Sequence, residues 1–243
     1  MAARKGKNLV TLARALSKLG ISSRKEAGEM VRSGRVSVNE KVVRLPELWI
    51  DLKKDRLSLD GRPLRREMPV YLVMNKRAGV VTTRSDERGR TTVYEYLPDD
   101  SRWLFPVGRL DKETSGLLIF TNDTRFGDRV TNPLSKVSKT YDVEVDKPLS
   151  AQDRGKMEST FVLKDGTSLK PAKISHRGKD QRTFSMTIEE GKNRQIRRVC
   201  EMLGYEVKRL RRTAIGTVRL GNLREGETRP LTDAEISSIT KEQ

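Results

Sequence analysis

The chain is short of the residues that most often carry chemistry or cross-links. Its 243 residues include one cysteine, Cys200, and one histidine, His176. A lone cysteine closes no intrachain disulfide, which fits a reducing, cytoplasmic compartment. A Cys/His zinc site needs several such ligands, and a Cys–His catalytic pair would have to use the only residue of each type. Cys200 falls among apolar helical positions and is expected to be a small buried hydrophobe. His176 falls in the polar stretch 175–179, expected to be a solvated turn. Aromatic residues make up 5%, too few for a tract that grips single strands by serial base stacking alone. Long apolar runs are also missing. Residues 70–74 and 117–120 fall far short of the roughly 20 residues that span a bilayer, and the basic start MAARKGKNLV has no apolar stretch behind it. Membrane-spanning and exported classes are therefore excluded.

What the chain has in excess is positive charge. Fifty Lys and Arg against 33 Asp and Glu give a formal net charge of +17. The excess is distributed, with net +9 over residues 1–67 and net +8 over residues 68–243, so it is no terminal solubility tail. A basic balance over a whole folded chain is the footprint of a polyanionic partner, and nucleic acid leads an acidic membrane surface.

The first 60 residues read as a module. Leu9, Leu12, Ala13 and Leu16 recur at helical spacing, with Gly20 as a stop. Ser23 and Glu26 form a capping box for a second helix with Ala27, Met30 and Val31 on one face, ended by Gly34. Val36 and Val38 alternate with polar residues up to a turn at 39–41, and Leu57 and Leu59 form another short strand. Arg24, Lys25, Arg32 and Arg35 lie off the apolar face, clustered at the helix start and the following turn, which favours an anion-gripping face over a merely solvated one. The stretch SSRKEAGEMVRSGRVSVNEKVV resembles the S4-type RNA-binding domain, which implies RNA as partner without naming an activity.

A polar, proline-containing connector at 63–67 separates this module, residues 1–62, from a larger domain over 68–243. Strands are expected at 70–74, at 117–120, along Tyr141, Val143 and Val145, and along Phe184, Met186 and Ile188. Helical patterns fall near 124–130, 152–159 and 194–203. There is no regular βαβ rhythm and no glycine-rich phosphate loop, so the expected class is α+β, a mixed, mostly antiparallel sheet with flanking helices.

Two segments of this domain carry the chemistry. The loop 107–116 sets Arg109, Asp111 and hydroxyl residues between two glycines and feeds a buried strand, where a rigid scaffold presents functional groups. Taken alone, Asp111 could equally be a turn residue and Arg109 a surface charge. The segment 190–198 opens a helix whose Ile196, Val199, Cys200 and Leu203 share a buried face. Arg194, Arg197 and Arg198 gather near its positive end, which costs folding energy and favours a phosphate or carboxylate partner.

GRLDKETSGLLIFTND, KTYDVEVDKP and EGKNRQIRRVCEMLGYEVKRLRRTAIG resemble, in order and spacing, blocks of the pseudouridine synthases that modify ribosomal small- and large-subunit uridines, a branch that often carries an N-terminal S4 domain. The resemblance covers nearly the whole chain. It implies that Asp111 acts on the ribosyl centre of the target uridine and that Tyr141 stacks on the base. It further implies that Arg197 pairs with the aspartate, holding it ionised and oriented, and that Arg109 helps fill the gap left by a flipped base. Lys139, Lys192, Asn193, Arg194 and Arg198 complete the expected RNA contacts beside Arg24, Lys25, Arg32 and Arg35. Such an enzyme breaks the N1–C1′ bond, turns the uracil and joins C5 to C1′, with no redox change and no external group, so neither cofactor nor metal is expected. The expected partner is ribosomal RNA or a pre-ribosomal particle, large-subunit RNA first, met by a monomer. A small-subunit or tRNA uridine is the alternative target, and a non-catalytic S4-type assembly protein the alternative class. A DNA-binding protein is disfavoured, because no recognition-helix or finger motif is present.

Overall fold

A capping box organises the start of the chain. Ser23 Oγ accepts the Glu26 N–H at 3.1 Å, and the Glu26 carboxylate accepts the Ser23 N–H at 2.9 Å. These satisfy two of the donors that a helix start leaves unpaired, worth about 1 kcal/mol. The computed structural model describes residues 9–65, 68–99, 102–176 and 180–241. Two packing units result, one taking the chain up to Val70 with short returns near Phe105 and at Asn122–Thr124, the other formed by the remainder.

The first unit runs β1 (Leu9–Thr11), α1 (Leu12–Lys18), α2 (Arg24–Arg32), β2 (Val36–Val38), β3 (Lys41–Val42), β4 (Trp49–Asp51), β5 (Leu57–Leu59) and β6 (Arg62–Pro63). Strand β1 pairs with β4, and a four-stranded sheet has the order β3-β2-β5-β6. Leu12, Leu16, Ala27, Val31, Val36 and Ile50 form the core. Leu9, expected in the first helix, is instead extended opposite Asp51, because β-branched Val10 and Thr11 pair with Ile50 and Trp49. Asn39 and Glu40 take φ of 50° and 69°, the left-handed pair that a two-residue hairpin needs. Pro63, expected in the connector, pairs with Ser58, and Leu64 packs against this core.

The chain continues through β7 (Tyr71–Lys76), β8 (Phe105–Pro106), β9 (Ser115–Thr121), α3 (Thr124–Thr131), β10 (Lys139–Val145), α4 (Ala151–Met157), β11 (Phe161–Val162), β12 (Ser168–Leu169), β13 (Lys173–His176), β14 (Thr183–Ile188), α5 (Gln195–Met202), β15 (Val207–Ile215), β16 (Val218–Arg219), β17 (Thr228–Pro230) and α6 (Asp233–Thr240). The main sheet has the order β13-β14-β10-β15-β9-β7-β17. Along this order β9 pairs with β15 in parallel and the other neighbours pair antiparallel, which leaves the sheet mixed and mostly antiparallel, as expected. Every residue of β9 is buried, and Leu117, Leu118, Ile119 and Phe120 expose nothing. At about 1.5–3 kcal/mol per fully buried large apolar side chain, this strand anchors the unit. Ser175 and His176, expected in a solvated turn, instead end β13, because they pair with Ser185 and Phe184 of β14, and the rest of that stretch, 177–179, lies outside the described residues. Among the described residues no helix is long and apolar enough to cross a membrane.

Candidate active site

Asp111 sits on a loop fixed from beneath. Thr82 Oγ1 donates to the Leu110 carbonyl at 2.8 Å and accepts its N–H at 3.3 Å, and the Gly79 N–H reaches the Lys112 carbonyl at 2.7 Å. Lys76, 1% exposed at the end of β7, donates its ammonium to the carbonyls of Arg77 (2.8 Å), Lys112 (3.3 Å) and Thr114 (2.8 Å). Burial pushes that ammonium down to about 8, while the charges of Glu113 and Asp111 push it back up. The loop backbone is therefore held at residues 110, 112 and 114, and the Asp111 side chain stands up from it, 36% exposed.

The ion pair expected between Asp111 and Arg197 falls to another arginine. Arg194 Nη1 lies 3.8 Å from the Asp111 carboxylate and 3.6 Å from that of Glu113. Arg194 precedes α5 with φ 48° and ψ 31°, a left-handed conformation costing a non-glycine residue about 1–2 kcal/mol. Such strain points to a side chain held where function needs it. Arg197, one turn into α5, instead donates to the main-chain carbonyls of Val207 (3.2 Å) and Glu113 (3.4 Å). It ties helix, strand and loop together through backbone, because its position on the helix aims it along the start of β15.

Tyr141 lies on β10, opposite Met186 of β14 and Arg212 of β15, and is 9% exposed. Its hydroxyl accepts from Arg212 Nη1 at 3.4 Å, and the Arg212 guanidinium carbon stands 5.9 Å from its ring centroid. Arg212 also donates Nε to the Leu117 carbonyl at 2.7 Å, and its Nη2 is buried without a partner. Since Arg212 pairs with Gly116 on the other side, Tyr141 lies two strand spacings, about 10 Å, from the strand that leaves the Asp111 loop.

The remaining expected contacts divide. Arg109 and Lys112 are exposed and line a cleft of about 440 Å³ together with Asp111 and residues of the segment 81–90. Asn193 is exposed beside Arg194. Lys192 donates to the Ser168 carbonyl at 3.1 Å, and Arg198 pairs with Asp165 at 2.6 Å, so both brace the β11–β12 hairpin. Lys139 is no surface contact at all. It points inward from β10, 8% exposed, and donates to the Val130 carbonyl at 3.1 Å, because the strand alternation puts it on the buried face with Tyr141 and Val143. In the first unit Arg24, Lys25 and Arg32 are exposed, whereas Arg35 is paired with Asp60 at 2.5 Å. Cys200 is fully buried, and burial pushes its thiol up to about 12. Sequence reasoning missed Lys76, Thr82 and Arg212. The signal for Arg212 was there once β15 is seen as a strand, because Leu210, Arg212 and Ala214 then share one face and the arginine stands among apolar neighbours.

A clamped carboxylate beside a cleft rich in arginine, on a mixed sheet, suits an enzyme that works on a polyanion. Comparison with known proteins narrows this. Residues 70–202 match the family described as RNA pseudouridylate synthase, and residues 10–48 match the S4 domain. The chain is 34% identical over 232 residues to a Bacillus subtilis protein named ribosomal large subunit pseudouridine synthase B, covering 94% of each. It is 35% identical over 237 residues to the Escherichia coli dual-specificity RNA pseudouridine synthase RluF, covering 96% of this chain and 79% of that one. A crystal structure of a pseudouridylate synthase superimposes with a TM-score of 0.71 at 29% identity, covering 95% of this chain and all of the other. The chain belongs to the RNA pseudouridine synthase family, the isomerases that convert uridine in RNA to pseudouridine, and it carries an N-terminal S4 domain.

Proposed function

We propose that this protein isomerises one specific uridine of ribosomal RNA, in the large subunit, working as a cytoplasmic monomer with its own side chains alone. The observation that carries the reading is Asp111 on its clamped loop, with Arg194 at its carboxylate and a polar cleft alongside. The large-subunit target is favoured by the name of the B. subtilis relative, which matches over 94% of each chain.

In this reading the target base leaves its stack, at a cost of a few kcal/mol that phosphate contacts and aromatic stacking offset. The Asp111 carboxylate acts at C1′ while the N1–C1′ bond breaks, the freed uracil turns, and C5 joins C1′. The C5 proton lost on rejoining is balanced by the proton that N1 gains, so no group enters or leaves. Tyr141 offers a ring to the base, its tilt set by Arg212. Arg194 orients Asp111, and Arg197 keeps the loop in place through the Glu113 carbonyl. Division of labour follows the chain: the domain ending near residue 64 selects the RNA through Arg24, Lys25 and Arg32, and the remainder reacts.

The test maps pseudouridine in total RNA from cells with and without the gene, by carbodiimide labelling and reverse-transcription stops. One site vanishes in large-subunit RNA and returns with the wild-type gene but not with Asp111→Asn, whose purified protein keeps its RNA affinity. A vanished site in another RNA overturns the target, and an unchanged map together with inactive purified protein overturns the activity. Joint loss of turnover and fold in Asp111→Asn makes the aspartate structural.

A further inference from the structure

The cleft beside Asp111 has a second wall, inside the family match over residues 70–202 but away from the GRLD, KTYD and NRQIRR stretches. Its lining comes from Arg109–Lys112 on one side and from the segment 81–90 on the other. That segment is organised by one residue. Asp86, with its side chain 6% exposed, accepts the Arg88 N–H at 3.2 Å and the Arg90 N–H at 2.9 Å. It also accepts the Arg90 guanidinium in bidentate fashion, with Nη2 at 2.6 Å. These donors hold its carboxyl well below the usual carboxylate range. Gly89 closes the turn at φ 65°, its N–H on the Asp86 carbonyl at 3.2 Å.

Such a turn neutralises Arg90 and fixes the backbone of its neighbour. Arg88 is exposed on the same cleft, and neither it nor Arg109 opposite has an ion pair among the described residues. Glu87 is the remaining carboxylate on this wall. A carboxylate committed to shaping a surface loop, with two free guanidinium groups facing the space beside the reacting aspartate, is a preorganised anion site. Arginine's planar fork suits a phosphodiester, and a fixed loop lowers the entropy lost on binding it.

The geometry points to a phosphate subsite formed by Arg88 and Arg109, which takes the RNA phosphodiester adjoining the target uridine, with Asp86 as its positioning residue. This rests on the pseudouridine synthase reading above. In it the segment 83–90 holds the flanking RNA backbone, so that the flipped nucleotide is presented to Asp111.

The probe is a short RNA fragment carrying the mapped uridine, made with natural phosphates or with an uncharged methylphosphonate at the linkage 5′ or 3′ of that uridine. Wild-type protein binds one of the two modified RNAs on the order of tenfold more weakly than the natural RNA. Arg88→Ala binds the natural RNA weakly by a similar factor and is indifferent to that same methylphosphonate, so the two losses do not add. Its salt slope for binding falls by about one and its KM rises. Asp86→Asn weakens binding in the same direction through a loosened loop, and thermal unfolding of each variant shows the fold intact. If wild type converts the uridine while Arg88→Ala binds both RNAs as wild type does, or if the losses simply add, the subsite is refuted with the activity standing. If wild type converts no uridine in any fragment, the activity itself has failed.

Discussion

Gly116→Ala tests whether the parallel contact beneath the active site is as tight as it stands. Gly116 has φ +103° and lies directly opposite Arg212 in the register of β9 and β15. A Cβ there would fall 2.2 Å from the Arg212 carbonyl oxygen and 2.7 Å from its nitrogen, both main-chain atoms of a buried strand. A flexible side chain could swing aside; a backbone in the middle of a sheet must be displaced with its neighbours. Overpacking of this kind costs about 1–3 kcal/mol, and the left-handed backbone adds roughly 1–2 kcal/mol for any residue with a Cβ. The sum, about 2–5 kcal/mol, lowers the unfolding temperature on the order of 10 °C for a chain of this size. Gly166→Ala separates the two contributions, because Gly166 has φ +79° with nothing within 4 Å of an added Cβ, and should cost only about 1–2 kcal/mol. Calorimetry of the wild type and both variants reads this directly. Where Gly116→Ala is still folded it should also turn over slowly, since the clash pushes β15 away from β9, the strand in which the Asp111 loop ends. A Gly116→Ala transition within about 1 °C of wild type, or equal to that of Gly166→Ala, would refute the argument.

Other expectations follow from the buried and strained charges. Burial, with a further push from Arg212, holds the Lys139 ammonium down to about 8 against an ordinary 10.5, so between those values the unfolded chain binds more protons and this residue's contribution to stability rises with pH. Lys139→Met removes that rise: wild type gains on the variant by roughly 2 kcal/mol between pH 7 and pH 10 in denaturant titrations, and parallel curves would contradict the buried charge. Arg194→Gly relaxes the left-handed residue before α5 and should stabilise the fold by about 1 kcal/mol while lowering the single-turnover rate, a divergence visible by comparing melting with pseudouridine formation. RNA affinity should fall steeply with salt, with a log–log slope corresponding to roughly 6–10 neutralised phosphates, and a flat dependence would remove the electrostatic account of the +17 charge.

Local chemistry explains what the sequence by itself determined. The capping box of α2, the hairpin turn read at 39–41, the amphipathic stretch of α5 and the buried run in β9 are each set by residues near one another in the chain, and each formed, the turn closing at Asn39–Glu40 with Lys41 already in β3. The family likewise was legible, because its blocks are contiguous. Strand β15 was not: a stretch as basic as KRLRR looks like surface until β9 and β10 enclose it and give Arg212 the Leu117 carbonyl and the Tyr141 hydroxyl as partners. Helix α6, with its own box of Thr232 and Glu235, was missed in a weakly amphipathic tail. Tertiary structure alone decided which basic residues are free. Lys139, Lys192, Arg198 and Arg35 are spent on internal carbonyls or carboxylates, whereas Arg88 and Arg109 face the cleft. It also decided which arginine meets Asp111, because α5 and the 107–116 loop are about 80 residues apart in sequence and their meeting depends on the order of strands in the sheet. Charge and periodicity are properties of a segment, but partnership is a property of the packing.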